Sequence, residues 1–192
     1  MEELITINTE QPSAIKVVYE PYALVAEDHE LLKKPLDPFD FSLGIDAEEI
    51  SKRLTQTAKV NRGYGLSANQ CGLSYRVFVM GAEEEYFALF NPEIVSVSEE
   101  TVHLEEGCLS FPFLFLSISR PKTVVVKYQN EKGEINQAKF DGISARVVQH
   151  EIDHLNGITF DRVAKPLALK MARKSREKKI KQFAKELVGK RR

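Results

Sequence analysis

Two histidines four residues apart, with a glutamate beside the first, make His150-Glu-Ile-Asp-His154 the most chemically loaded stretch of this 192-residue chain. On a helix, positions i and i+4 share a face, with Cβ atoms about 6 Å apart, so two imidazoles so placed reach one metal ion. Glu151 lies next to them, able to contact a water at such an ion without ligating it. Ile152 anchors the other face in a core. A five-residue pattern with three fixed positions also arises by chance in amphipathic helices, so a third ligand decides the chemistry.

The downstream options are poor. The metalloprotease pattern HExxHxxGxxH holds as far as Gly157 and fails at Phe160, where a third His should stand. Glu177 is a formal candidate for a zinc peptidase, but it sits among Arg176, Lys178 and Lys179. Upstream lies Glu105-Glu-Gly-Cys-Leu-Ser-Phe-Pro112. The Cys108 thiolate suits a borderline divalent ion, which holds it deprotonated. Taken alone, Cys108 reads as a small buried hydrophobe, as does Cys71. A third segment, Gly63-Tyr-Gly-Leu-Ser-Ala-Asn-Gln70, has two glycines that admit close backbone approach and an amide donor, Gln70, suited to an oxyanion. Alone it also reads as a turn between a helix and a strand. It is no dinucleotide fingerprint, because it follows a helix and lacks the third glycine.

The elements that must position these groups have their own signals. Asp46 caps a helix that carries Ile50, Leu54 and Ala58 on one face and ends near Asn61. Residues 76–80, 86–90, 93–97 and 123–127 read as short strands, and Lys132-Gly133 as a hairpin turn leading to a strand at 135–140. Ile143, Val147, Val148, Ile152 and Leu155 fit a helical face that Gly157 stops. Residues 1–45, broken by Pro12, Pro21, Pro35 and Pro38, read as mostly extended and loop. The tail reads as a helix with Ile180, Phe183, Ala184 and Leu187 on one side. The sum is a compact α+β single domain spanning 1–192, with helices against mainly antiparallel β-sheets.

Composition sets outer limits. Hydrophobic residues are 43% of the chain, enough for a core, and net charge is −1. That charge is uneven. Residues 165–192 hold twelve Lys or Arg against two acids, so the basic C-terminal segment is +10 and the remainder −11. Two cysteines make no disulfide framework, no apolar run spans a membrane, and the acidic start lacks a signal-peptide layout. A cytoplasmic protein with no membrane partner is the expectation.

Taken together and in order, the three segments resemble the three signature motifs of peptide deformylases. Gly63-Tyr-Gly-Leu-Ser-Ala-Asn-Gln70 is similar to the first, Glu106-Gly-Cys-Leu-Ser110 matches the second, and Gln149-His-Glu-Ile-Asp-His154 matches the third. The resemblance implies an α+β fold with a central metal-binding helix and a C-terminal helix. It implies hydrolytic removal of the formyl group from N-formyl-methionyl peptides. Cys108, His150 and His154 would hold one divalent metal ion, ferrous iron first, with Zn2+, Ni2+ or Co2+ as alternatives. Glu151 would act as general base and acid for the attacking water. Gln70 and the Leu109 N–H would bind the formyl oxygen. Tyr64, Gly65 and Gly107 would offer backbone groups to the peptide, and Val147 with Tyr64 would line the methionine pocket. Tyr64 departs from the aliphatic residue expected there and would narrow or reshape that pocket. Glu20-Pro-Tyr-Ala-Leu24 only loosely echoes a segment the family carries near its start. Arg120 and Arg146 would be salt-bridging residues, with Glu106 within their reach. The basic tail has two readings, a solvated amphipathic helix packed by Ile180, Phe183 and Leu187, or a docking element for ribosomal RNA. A zinc peptidase and a non-catalytic metal- or peptide-binding module are the rival functions.

Overall fold

The computed structural model describes residues 19–83 and 85–189, with side chains through residue 186. Helix α1 (Ala47–Val60) starts where expected, because the Asp46 side chain accepts from Glu49 N at 2.9 Å. Ile50, Leu54 and Ala58 are its buried stripe. The chain then enters β1 (Gly65–Ser67), which passes into a 3-10 turn (Ala68–Cys71). Strands β2 (Val77–Ala82), β3 (Glu85–Val97), β6 (Thr123–Gln129) and β7 (Ile135–Asp141) complete an antiparallel sheet of order β1-β2-β3-β6-β7. Gly133, at φ +78°, forms the turn between β6 and β7.

Two features differ from the sequence reading. The stretches at 86–90 and 93–97 form one strand, β3, rather than two. Its ladder to β6 shifts register between Phe90 and Glu93. Pro92 donates no N–H there, and Asn91 sits at φ +50°. The Asn91 amide bridges the irregularity, accepting from Phe39 N at 2.6 Å and donating to Gln129 Oε1 at 2.8 Å. The second difference is a separate two-stranded ribbon, β4 (Thr101–Gly107) with β5 (Phe115–Pro121), which the sequence reading left out. Residues 19–45 are irregular apart from short 3-10 turns, and Met1 to residue 18, including Pro12, lie outside the described residues.

Helix α2 (Gly142–Leu155) lies between the sheet and the ribbon. Ala145, Val148, Ile152 and Leu155 pack with Phe78, Leu89, Val124 and Val126. Truncating one of the large members of such a cluster typically costs about 2–5 kcal/mol. The helix stops at Asn156 and Gly157, the latter at φ +72°. A methyl on Gly157 would lie 2.6 Å from the Lys34 carbonyl carbon, so both conformation and space demand glycine. A single turn, α3 (Phe160–Val163), leads into the basic helix α4 (Pro166–Gly189). Ile180 stays 42% exposed, and the helix packs instead through Leu169 and Ala172, with Phe183 half-exposed against Phe113. The Leu187 side chain is outside the described set. No helix of the described residues is long and apolar enough to cross a membrane.

Candidate metal centre

The second face of α2 is what makes the helix unusual. Its buried residues include Arg146, Gln149, His150, Glu151 and His154, none of which would be buried without partners or a task. Arg146, His150 and His154 recur every four residues and so face one way, toward the ribbon. The Cys108 side chain follows the end of β4. It brings its sulfur 3.2 Å from His154 Nε2, and the ligand atoms of Cys108, His150 and His154 all lie within 4.8 Å of one another. Among the described residues this is the one such group of His, Cys, Asp or Glu side chains. Glu177 is exposed on α4 and takes no part in it.

A carboxylate orients the first imidazole. Glu106 Oε2 lies 3.0 Å from His150 Nδ1, which leaves Nε2 as the nitrogen facing the group. Glu106 is itself held by Arg120 Nε at 2.6 Å, Arg120 Nη2 at 3.0 Å and Arg146 Nη1 at 2.5 Å. Arg120 also donates to Asp153 at 2.7 Å, so both arginines form salt bridges. Burial would raise the Glu106 pKa, but the hydrogen bonds from His150 and Arg120 outweigh it and bring it down to about 2. In the chain without an ion, burial lowers the His150 pKa, yet Cys108 and Glu106 outweigh burial and lift it to about 10. The second imidazole goes the other way: burial, then the positive charges of His150 and Arg120, hold the His154 pKa well below its ordinary value. The two-nitrogen, one-sulfur donor set fits a borderline divalent ion, and three protein ligands leave a position open.

The neighbouring groups are equally fixed. Gln70 Oε1 accepts from Ser67 N and Ser67 Oγ, each at 3.0 Å. A backbone N–H cannot accept, so this settles which end of the amide is which. Gln70 Nε2 consequently points to Ser110 Oγ at 3.1 Å and Cys108 Sγ at 3.4 Å. Asn69 holds the second ligand helix turn through His154 O at 2.6 Å. Glu151 Oε2 is buried with no hydrogen-bond partner, and burial first of all pushes its pKa up to about 7. His154 Nδ1 is a second buried polar atom without a partner in the same group, and buried polar atoms are ordinarily hydrogen-bonded.

Of these groups, Gln70, Glu106, Cys108, His150 and Glu151 border one cavity of about 620 Å3. Tyr64, Gly65, Gln70, Gly107, Leu109, Val147, His150 and Glu151 line it together with Cys108. Tyr64 is 65% exposed, so its ring stands at the mouth in solvent rather than narrowing the interior. Its carbonyl already accepts from Gly81 N at 2.9 Å. Gly65 lies on the outermost strand of the sheet, whose edge away from β2 pairs with no other strand among the described residues. The sequence reading brought Glu106 to the arginines but not to His150, and it overlooked Phe113, Phe115 and Ile143 in the cavity wall. The alternation of Leu116, Ile118 and Arg120 was the available signal for β5.

Comparison with known proteins agrees with this geometry. The polypeptide deformylase family model matches residues 21–168. The peptide deformylase of Thermotoga petrophila is 43% identical over 142 residues, covering 73% of this chain and 84% of that protein. The crystal structure of peptide deformylase from Thermotoga maritima superposes with a TM-score of 0.70 at 39% identity, covering 77% of this chain and 99% of that one. The Met-Ala-Ser-bound class I type b peptide deformylase of Acinetobacter baumannii gives a TM-score of 0.70 at 29% identity, over 76% of this chain and 99% of that one. The chain belongs to the polypeptide deformylase family of enzymes.

Proposed function

We propose that the chain hydrolyses the N-formyl group of formyl-methionine at the start of newly made polypeptides, using one divalent metal ion held by Cys108, His150 and His154. The observation that carries this reading is the convergence of that half-buried sulfur and two buried imidazoles next to an unpartnered Glu151 oxygen. Ferrous iron is the ion we assign, with Zn2+, Ni2+ or Co2+ also suited to two nitrogens and a sulfur. When bound, such an ion supplies Lewis acidity, polarising the formyl oxygen and making water a better nucleophile.

The chain's own groups do the rest. Glu151 takes a proton as water adds to the formyl carbon. It returns that proton to the methionine nitrogen as the C–N bond breaks, giving formate and a free amine. Gln70 Nε2 and the Leu109 N–H stabilise the negative charge that develops on the formyl oxygen. Gly65 and Gly107, at the edges of β1 and β4, offer backbone groups so that the peptide lies as an added strand. Tyr64 contributes at the mouth, and Val147 bounds the methionine side chain. The formyl carbon bears only hydrogen, so a close-fitting site excludes bulkier acyl groups. A thiolate ligand makes the site sensitive to oxidation.

Formate release from a formyl-Met tripeptide by anaerobically prepared, iron-loaded protein tests the proposal, with Glu151→Ala as the control. Turnover abolished in the control supports it. Metal binding without turnover in the unaltered protein would favour a binding module instead. We assign the ribosome as a partner of the basic helix on charge alone, since phosphate contacts of a +10 segment weaken steeply with salt. Deleting residues 170–192 should abolish salt-sensitive ribosome co-sedimentation, and unchanged binding removes this partner. The cytoplasm is the compartment this reading calls for.

A further inference from the structure

Helix α4 meets the rest of the molecule through Leu169, Ala172, Arg176, Lys179 and Phe183, spaced alternately by three and four residues along one helical face. Leu169 and Ala172 pack on the cluster that contains Phe111, Leu114 and Phe160. Further along, the contacts change character. Arg176 Nε donates to Pro112 O at 2.8 Å, and its Nη2 meets Glu27 at 2.5 Å. Lys179 Nζ stands 4.9 Å over the Phe115 ring. The Phe183 ring lies 5.4 Å from that of Phe113. Pro112, Phe113 and Phe115 all line the cavity. Phe113 has φ +64°, a left-handed conformation that a bulky residue does not hold unaided. The match to the family ends at residue 168, before Arg176, Lys179 and Phe183.

We propose that α4 is a positioning element of the substrate cavity, in which Arg176, Lys179 and Phe183 fix the 112–115 wall against which the peptide lies. The inference rests on the reading of this cavity as a formyl-peptide site. The three contacts are a charge-assisted hydrogen bond, a cation over a ring and a tilted ring pair, each modest alone. They act together on three of the four residues 112–115. None of them touches Cys108, His150, His154 or Glu151, so the wall affects how the peptide is held and leaves the bond-breaking groups alone.

The test uses the full, metal-loaded chain. The double variant Arg176→Ala, Phe183→Ala should raise KM for a formyl-Met tripeptide about three- to tenfold, the size expected from losing two such contacts. Its kcat and metal content should stay as in the unaltered protein. Phe183→Tyr, which keeps the ring, and Lys174→Ala, on the exposed side of the helix, should leave KM where it was. Calorimetric binding of the peptide Met-Ala-Ser should weaken by the same factor in the double variant. Unchanged KM and unchanged peptide affinity in the double variant overturn the proposal, even if amide hydrogen exchange shows the 112–115 segment loosened. A fall in kcat with constant KM overturns it as well. If the unaltered protein binds the peptide but releases no formate, the hydrolase reading falls and the binding comparison still decides this one. A chain that does neither refutes both.

Discussion

Replacing Gly65 by alanine perturbs Glu151 with a single methyl group. Gly65 pairs with Met80 on β2, and the face of the strand from which its Cβ would project lies against α2. A Cβ built there would lie 2.5 Å from Glu151 Oε1, 2.8 Å from Val147 Cγ1 and 2.9 Å from Glu151 Cγ, where ordinary contact begins at 3.4 Å. The shortfall against the carboxylate oxygen is 3.4 − 2.5 = 0.9 Å. Gly65 is not among the glycines with positive φ, so the backbone accepts alanine and the effect is steric alone. The Glu151 oxygen is the far end of a side chain and gives way first, but Glu151 Cγ and Val147 Cγ1 are nearer their backbones and less free to move. A displacement of about 1 Å at a catalytic group costs on the order of 100-fold in rate. That corresponds to about 2.7 kcal/mol of transition-state stabilisation. Overpacking at the β1–α2 contact should add about 1–3 kcal/mol of destabilisation. Metal content should not change, because none of the three ligand side chains meets the new methyl. Steady-state formate release, elemental analysis and urea unfolding measure the three quantities. Activity within threefold of the unaltered chain would refute the reasoning. So would activity and metal lost together, since the methyl would then be moving α2 as a body rather than one carboxylate.

Glu106→Gln removes the anion that Arg120, Arg146 and His150 share, and should cost about 3–5 kcal/mol in urea unfolding, as breaking a buried pair does. The same change should weaken metal affinity about 10- to 100-fold in a chelator competition, because His150 loses its orienting carboxylate. Cys108→Ala should leave the purified protein without metal, whereas Glu177→Ala should retain it; the reverse pattern would point to a peptidase-like site. Gly157→Ala should destabilise the fold by about 2 kcal/mol or more, from a strained φ and the clash with Lys34, read as a lower urea midpoint. Cys71, whose pKa burial pushes up to about 12, should resist iodoacetamide at pH 9 in the native protein and react once unfolded. Because its folded pKa lies above the unfolded value near 9, its contribution holds below pH 9 and is lost as pH rises toward 12. Cys71→Ala should flatten that alkaline loss.

The helices were readable because their signals are local: Asp46 caps α1, and Gly157 ends α2. Strands β6 and β7 were readable for the same reason, through a run of valines and a Lys-Gly turn. The ribbon was not, because most of β4 faces solvent and only Glu106 on it is buried. On β5 the third inward position is Arg120, a charge where the alternation calls for an apolar residue. Pro92 looked like the end of a strand, but β3 runs on past it, with the Asn91 amide reaching Phe39, 52 residues away, at the irregularity. The ligand candidates stood out by type and spacing. The partner that orients His150 lies 44 residues away in sequence, and no local pattern records that meeting. On α4 the face chosen for docking includes Arg176 and Lys179, so a search for apolar spacing led to Ile180 instead.

Strand β1 ends the main sheet after only three residues. An unprotected sheet margin usually invites fibrous self-assembly, since another copy can extend the ladder indefinitely. Here a second copy would gain one or two rungs and then run out of partner. Under the proposed function, a slender chain terminus would gain the same rungs and bury a side chain in the adjoining hollow as well. At the β1 margin, brevity would thus favour a guest peptide over a second copy of the chain, whereas β7, at the opposite margin, runs for seven residues.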